Sequence, residues 1–223
     1  MKLINELINT TDPGWDLIQE WLKDATNHYE ILPREATRAE GELLQAQVTT
    51  RSTMGAIIYE TGGILIDHGW IRILGSGSPQ LDRGIMEWNR GKTVTSLTEQ
   101  PTYLLIADDV IGGYFALNAG GIGDEPGMVY YLPQDTLQWE NLGCAYSDFI
   151  GWALNGDLQK FYQTFKWKGW QTDLENIGGD QTVAFYPFLW TEYNDFEELS
   201  RAIVPTMEHY MLTLDMQEQL GGN

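Results

Sequence analysis

Between Pro101 and Tyr162 the chain carries three β-rich apolar runs in quick succession, Tyr103 to Ala107, Tyr114 to Asn118 and Gly127 to Leu132, separated by acidic and Gly-rich breaks. A helical pattern begins near Ala145, so the stretch reads as a strand meander closed by a helix. In the third run Met128, Tyr130 and Leu132 share one face and Val129 and Tyr131 the other. Neither face is polar, as in a strand covered on both sides, which places the centre of a sheet here.

The 223 residues are 43% hydrophobic, enough for a sizeable core and against a disordered chain. Acidic residues outnumber basic ones 32 to 13, a formal charge of -19. Such a surface repels nucleic acid and anionic membrane and favours either a basic partner or plain solubility. The acid is uneven: from Tyr103 to Phe165, Asp108, Asp109, Asp124, Glu125, Asp135, Glu140, Asp148 and Asp157 are set against Lys160 alone. The lone Cys144 has no disulfide partner within the chain, and the amino-terminal residues lack the apolar core of a signal peptide. With no run approaching the roughly 20 apolar residues of a membrane span, a cytoplasmic location is expected.

Read in order, Asp12 and Pro13 open a helix with Trp15, Ile18, Trp21 and Leu22 as a core-facing stripe. Tyr29 to Leu32 is extended, and Ala36 to Gln47 is helical. Ser52 or Thr53 caps a short apolar helix, and Asp67-His68-Gly69 turns a hairpin of Ile64 to Ile66 against Trp70 to Leu74. After the meander, Ala145 to Asn155 is a helix with Ser147 as a possible cap. Beyond it come a second helix through Phe161 and Tyr162, a strand Thr182 to Tyr186, a short acidic helix near Phe196 to Leu199 and a last helix from Pro205. In that last helix Met207, Met211 and Leu214 form the expected apolar set.

Catalytic signatures are missing from this pattern. His28, His68 and His209 lie far apart and none pairs with a second His or Cys at metal-ligand spacing, so no metal site or cofactor is expected. No Gly-x-Ser-x-Gly elbow occurs, and neither Gly75-Ser76-Gly77 nor Gly120-Gly121-Ile122-Gly123 completes a phosphate-binding loop. Asp108-Asp109 and Asp124-Glu125, at strand ends, are the one arrangement that resembles a carboxylate pair for hydrolysis of a glycan or small polar substrate. Adjacent loop carboxylates are more often simply solvated.

The helix and turn MGAIIYETGG, the hairpin ILIDHGWIRILGSG, Trp88, the strand YLLIADD, the broken hairpin IGGYFALNAGGIGDEPGMVYYL and the helix AYSDFIGWALNG together resemble the SUKH superfamily, which includes bacterial toxin-immunity proteins. The resemblance implies an α+β fold with a twisted, mostly antiparallel central sheet and packed helices. It also implies action by binding, for instance neutralising a basic cytoplasmic toxin such as a nuclease. Its core spans about residues 52–165, with a helical extension over 1–51 and an elaboration over 166–223, all in one domain. Through QVTTRSTMGAIIYETGGILIDHGWIRILGSGSP the whole chain also resembles an uncharacterised bacterial family of unknown function. Combining the resemblance with the acid excess, the expected partner-binding residues are Asp108, Asp109, Asp124 and Glu125 for charge, and Tyr130, Tyr131 and Trp139 for anchoring. A housekeeping scaffold or regulator is the third reading, and the oligomeric state is left open.

Overall fold

The structure of the protein, a computed structural model, describes residues 1–95 and 100–221. Among these, seven strands form one antiparallel sheet whose spatial order is their chain order: β1 (Tyr29–Leu32), β2 (Gly63–Ile66), β3 (Ile71–Leu74), β4 (Tyr103–Asp109), β5 (Tyr114–Asn118), β6 (Met128–Leu132) and β7 (Glu140–Ala145). A separate hairpin pairs β8 (Gln181–Tyr186) with β9 (Ser200–Pro205). The helices are α1 (Ile4–Leu7), α2 (Gly14–Lys23), α3 (Ala36–Ala46), α4 (Thr53–Glu60), α5 (Ile85–Asn89), α6 (Tyr146–Asn155), α7 (Leu158–Phe161), α8 (Trp170–Leu174) and α9 (Thr206–Gly221). This is the mixed α and β architecture with an antiparallel sheet expected from the sequence. No helix among the described residues is long and apolar enough to cross a membrane.

The middle strand β4 is buried along its length from Leu105 onward, because the sheet is covered on both faces. Successive residues of β5 show how. Tyr114 meets Tyr210 of α9 edge to face at 4.8 Å, whereas Phe115 packs on Phe149 of α6 at 4.9 Å. Neighbouring side chains on a strand point to opposite faces, so α6 and α9 lie on opposite sides of the sheet. Around α6, helices α2 and α4 complete one layer: Thr53 Oγ1 of α4 and Ser147 Oγ of α6 share a hydrogen bond of 3.0 Å. Ser147 is therefore spent between helices; the helix is capped instead by Asp148, whose carboxylate accepts from Ala145 N at 3.4 Å.

Local chemistry accounts for most boundaries. Ser52 Oγ accepts from Gly55 N at 3.1 Å and starts α4. The β2–β3 turn bends through Asp67, His68 and Gly69 at φ of 51°, 60° and 87°, a left-handed path in which only the glycine is free of Cβ crowding. Two strands escape the sequence pattern: β7 (ENLGCA) and β9 (SRAIVP) are mostly exposed edge strands without an alternating apolar face. The segment before residue 52 is also less of an extension than expected, since β1 pairs with β2 from Tyr29↔Ile66 to Leu32↔Gly63 and forms one edge of the main sheet.

The last helix is turned differently from its sequence pattern. Met207 and Met211 are 45% and 49% exposed, while Thr206, His209, Tyr210 and Thr213 face inward. The space beneath the helix is shaped for polar and planar groups. Thr213 Oγ1 donates to the buried Gln134 Oε1 at 3.4 Å, Thr182 and Thr206 hydroxyls meet at 3.0 Å, and the His209 ring packs close against Gly112. A Cβ at Gly112 would come within 2.1 Å of that imidazole, so only glycine admits the contact.

Beyond the last β3–β4 register pair, Ile73↔Ala107, the side chain of Asn89 takes over from the missing strand. Its amide donates to Leu105 O at 2.8 Å and to Ile85 O at 2.8 Å, and its oxygen accepts from Leu105 N at 2.8 Å and Thr93 Oγ1 at 2.6 Å. Asn89 is fully buried, and removal of its amide strands both backbone groups of Leu105. Asn89→Ala is expected to lower the unfolding free energy by about 2–4 kcal/mol in urea denaturation; a loss within the experimental error would show that Leu105 finds other partners.

Candidate functional site

The seven expected partner-binding residues do not share a surface. Asp108 and Asp109 are both 0% exposed, and Tyr130 and Tyr131 are each 5% exposed, so these four have no area to offer a partner. Trp139 is half-buried and packs on Tyr103 at 5.7 Å. Asp124 and Glu125 alone are fully open, in the loop between β5 and β6. The correction has a simple cause: Asp108 and Asp109 are not loop residues but the last two of the central strand, and both faces of that strand are covered.

Asp108 is the centre of a buried ion cluster. Arg72 stands directly opposite it in the β3–β4 register, its Nε 2.6 Å from Asp108 Oδ1 in a charge contact that is not aligned as a hydrogen bond. Arg83 Nη1 donates to Asp108 Oδ2 at 2.6 Å, and its Nε reaches Asp180 Oδ1 at 2.7 Å. The guanidinium of Arg72 also binds the carbonyls of Gln181 and, at 2.7 Å, Asp109. Arg83 Nη2 donates to Gly179 O at 2.7 Å, and its plane lies 4.6 Å from the Trp88 ring. The cluster thus joins β3, β4 and the loop after Leu81 to the start of β8.

Asp109 points the other way. Its Oδ1 accepts from Ile111 N at 3.1 Å and Gly113 N at 2.8 Å, and its Oδ2 accepts from the Tyr131 and Tyr162 hydroxyls at 2.6 and 3.1 Å. Burial pushes its carboxyl upward against these donors, and burial followed by the Asp109 charge holds both phenols well above their usual range. The two adjacent carboxylates therefore sit on opposite faces, each enclosed. A hydrolytic pair needs two carboxyls facing one substrate; Asp108 and Asp109 do not form one.

Two further buried groups carry displaced protonation. Glu42, 1% exposed, accepts from Met86 N at 2.5 Å, and burial pushes its carboxyl up to about 7. Burial, helped by the Arg72 charge, pushes His209 down to about 4; its Nδ1 lies 3.4 Å from the Tyr114 hydroxyl. Among the described residues, no group of three or more His, Cys, Asp or Glu side chains is gathered closely enough to hold a metal ion.

One open segment is the connection between β8 and β9. Residues 186–198 read YPFLWTEYNDFEE, with four acids and no base. Tyr186 is 70% exposed, Phe188 and Trp190 stack at 4.4 Å with their planes 8° apart, and Glu192, Asp195, Glu197 and Glu198 are exposed. Asp195 accepts from Glu197 N at 3.0 Å and starts the 3-10 turn Phe196–Glu198. A cleft of about 730 Å³ runs along this loop between Pro187 and Leu199, bordered by Glu192, Tyr193, Asp195 and Glu198. Farther along β9 and at the start of α9, Ile203, Met207 and Met211 are exposed as well. The interleaving of aromatic and acidic residues was visible in the sequence, but only as the end of a strand and a short helix.

Residues 4–209 match the family described as "Protein of unknown function DUF2625". The chain is 44% identical over 218 residues to the "Putative uncharacterized protein YbfG" of Escherichia coli (strain K12), covering 98% of each. It is 47% identical over 189 residues to an "Uncharacterized protein" of Haemophilus influenzae, covering 85% of this chain and 83% of the relative. No solved structure matches the chain.

Removing the carboxylate from between two buried guanidinium groups leaves them uncompensated. Asp108→Asn is expected to cost about 3–5 kcal/mol of stability, against less than about 0.5 kcal/mol for Glu125→Gln, read by thermal and urea unfolding; equal small losses would mean that water enters the cluster. For Glu42 the sign follows from the raised folded value. The unfolded carboxyl ionises near 4.5 and the folded one near 7, so its contribution to stability falls as pH rises through that window. His209 works in the opposite sense, losing stability as pH falls from 6.5 toward 4. Glu42→Gln is expected to gain on the wild type with rising pH, by up to about 3 kcal/mol between pH 5 and pH 8. A pH-independent difference in urea midpoints would show that Glu42 ionises freely in the folded chain.

Proposed function

We propose that this chain, which belongs to the DUF2625 family, acts by binding a basic protein partner rather than by turning over a substrate. The observation that carries this reading is the β8–β9 connection, where the exposed Tyr186 and the half-buried Phe188–Trp190 stack share one segment with four open acids. Partly exposed aromatics supply anchoring area at small entropic cost, while the neighbouring acids speed encounter with a positively charged surface and exclude acidic ones. The overall charge of -19 works in the same sense at longer range.

The binding surface in this reading is the carboxyl-terminal hairpin, not the meander. Toxin neutralisation, the role implied by the SUKH resemblance, is one specific form of it: a secreted nuclease needs a basic cleft to attract phosphate, and an acidic, aromatic face covers such a cleft well. Enclosure of Asp108 and Asp109 takes one of the two carboxylate pairs behind the hydrolase reading out of reach of a substrate; the other, Asp124-Glu125, stays open in the β5–β6 loop.

The test is affinity capture from cells of the native host at low and moderate salt, with three immobilised baits. One is the wild type, one carries Glu192→Lys, Asp195→Lys and Glu198→Lys, and one carries Asp124→Lys and Glu125→Lys. A basic protein retained by the wild type and the Asp124/Glu125 bait, released by salt and lost from the hairpin bait, is the expected outcome. Retention that survives the hairpin changes would overturn this assignment of the surface.

A further inference from the structure

A second surface lies away from the hairpin, between the β1–β2 edge of the sheet and α8. Here a cleft of about 430 Å³ leads into a deeper recess of about 220 Å³, and Glu30, His68 and Glu175 border both. Gln171 and Thr172 of α8 line the outer part. His28 and His68 stack in its wall with ring centroids 4.3 Å apart and planes 9° apart, although they are forty residues apart in sequence and both exposed. Two contacts hold them together: Asp67 N donates to His28 O at 2.7 Å, and the Asp67 carboxylate is paired with Lys166. The edge of Trp170 supports His68 at 6.2 Å.

The chemistry of this wall selects among ligands. Parallel rings direct their nitrogen lone pairs in parallel planes, not toward one point, and no metal-holding group is gathered among the described residues. An anion would need a free cation. The Arg72 guanidinium at the back of the recess is engaged by Asp108, Gln181 O and Asp109 O, whereas Glu30 and Glu175 line the walls. Gln80 Nε2 lies 3.3 Å from Glu30 Oε1 and steadies that carboxylate. A flat aromatic platform beside two carboxylates suits a planar cation, which stacks on a ring while its edges donate to acids.

We propose that this cleft binds a guanidinium-type cation, stacked on the His28–His68 pair and held by Glu30 and Glu175. The ligand is either a free small molecule or an arginine side chain presented by another protein. The proposal is independent of the hairpin surface and stands or falls separately.

The three histidines make the test direct, because two line the cleft and His209 is buried elsewhere. Imidazole NMR signals of the full chain are followed while methylguanidinium, or in a parallel arm a blocked Gly-Arg-Gly peptide, is added. Saturable shifts of the His28 and His68 signals with His209 unmoved are expected, and the tighter of the two probes identifies the source of the cation. The Glu30→Gln/Glu175→Gln double variant should bind roughly tenfold to a hundredfold more weakly, with an unchanged His209 signal reporting an intact fold. No saturable shift, equal affinity in the double variant, or saturation instead by inorganic phosphate or zinc would overturn the proposal.

Discussion

A single carboxylate between two arginines governs how this protein is put together. Asp108, next to last in the central strand, has its side chain on the α9 face, opposite Arg72 across the ladder and within reach of Arg83 from the loop after Leu81. Taking three charges out of water is expensive, and the attraction among them repays that cost only when the geometry is close and the remaining donors are used. They are used here on backbone carbonyls at Asp109, Gly179 and Gln181. The cluster therefore does more than neutralise itself. It anchors the carboxyl-terminal hairpin to the sheet, because two of those carbonyls and Asp180 belong to the chain entering β8.

That anchoring explains why the last third of the molecule is not a loose elaboration. Once β8 is fixed, with Val183 N donating to Val110 O at 2.7 Å, α9 must fall across Gly112, Tyr114 and Trp88. The helix presents His209, Tyr210 and Thr213 because the ground beneath it is polar and aromatic. Its methionines Met207 and Met211 are turned outward. The same constraint thus removes acids from the surface at Asp108 and Asp109 and displays other acids, with apolar area, at the hairpin. An acidic chain binds through the charges that the fold leaves outside, and a count of charges along the sequence does not distinguish these from the ones it spends inside.

Much of the architecture was nonetheless legible. The DHG turn and its two strands, the Ser52 cap, the meander and the helix after Ala145 all rest on interactions within a few residues: a hydroxyl on a backbone N–H, a glycine at positive φ, an apolar run long enough for one strand. The edge strands β7 and β9 were not, since an exposed edge needs no apolar face to signal it. The ion cluster does leave one signal in the sequence. An arginine inside the apolar run WIRIL, at Arg72, must meet a carboxylate if the run is buried, and Asp108 and Asp109 close the apolar run YLLIA, the next strand of the meander.

The sequence by itself determined the class of fold, the positions of most strands and helices and the strong negative charge, because each depends on local geometry or on composition. Tertiary structure decided which acids are spent and which are free, which face of the last helix is wet, and which distant rings meet, as His28 and His68 do. These are set by strand register and by what covers each face. Register is a relation between segments far apart in the chain, and a one-residue change in it would exchange the buried Asp108 face for the other.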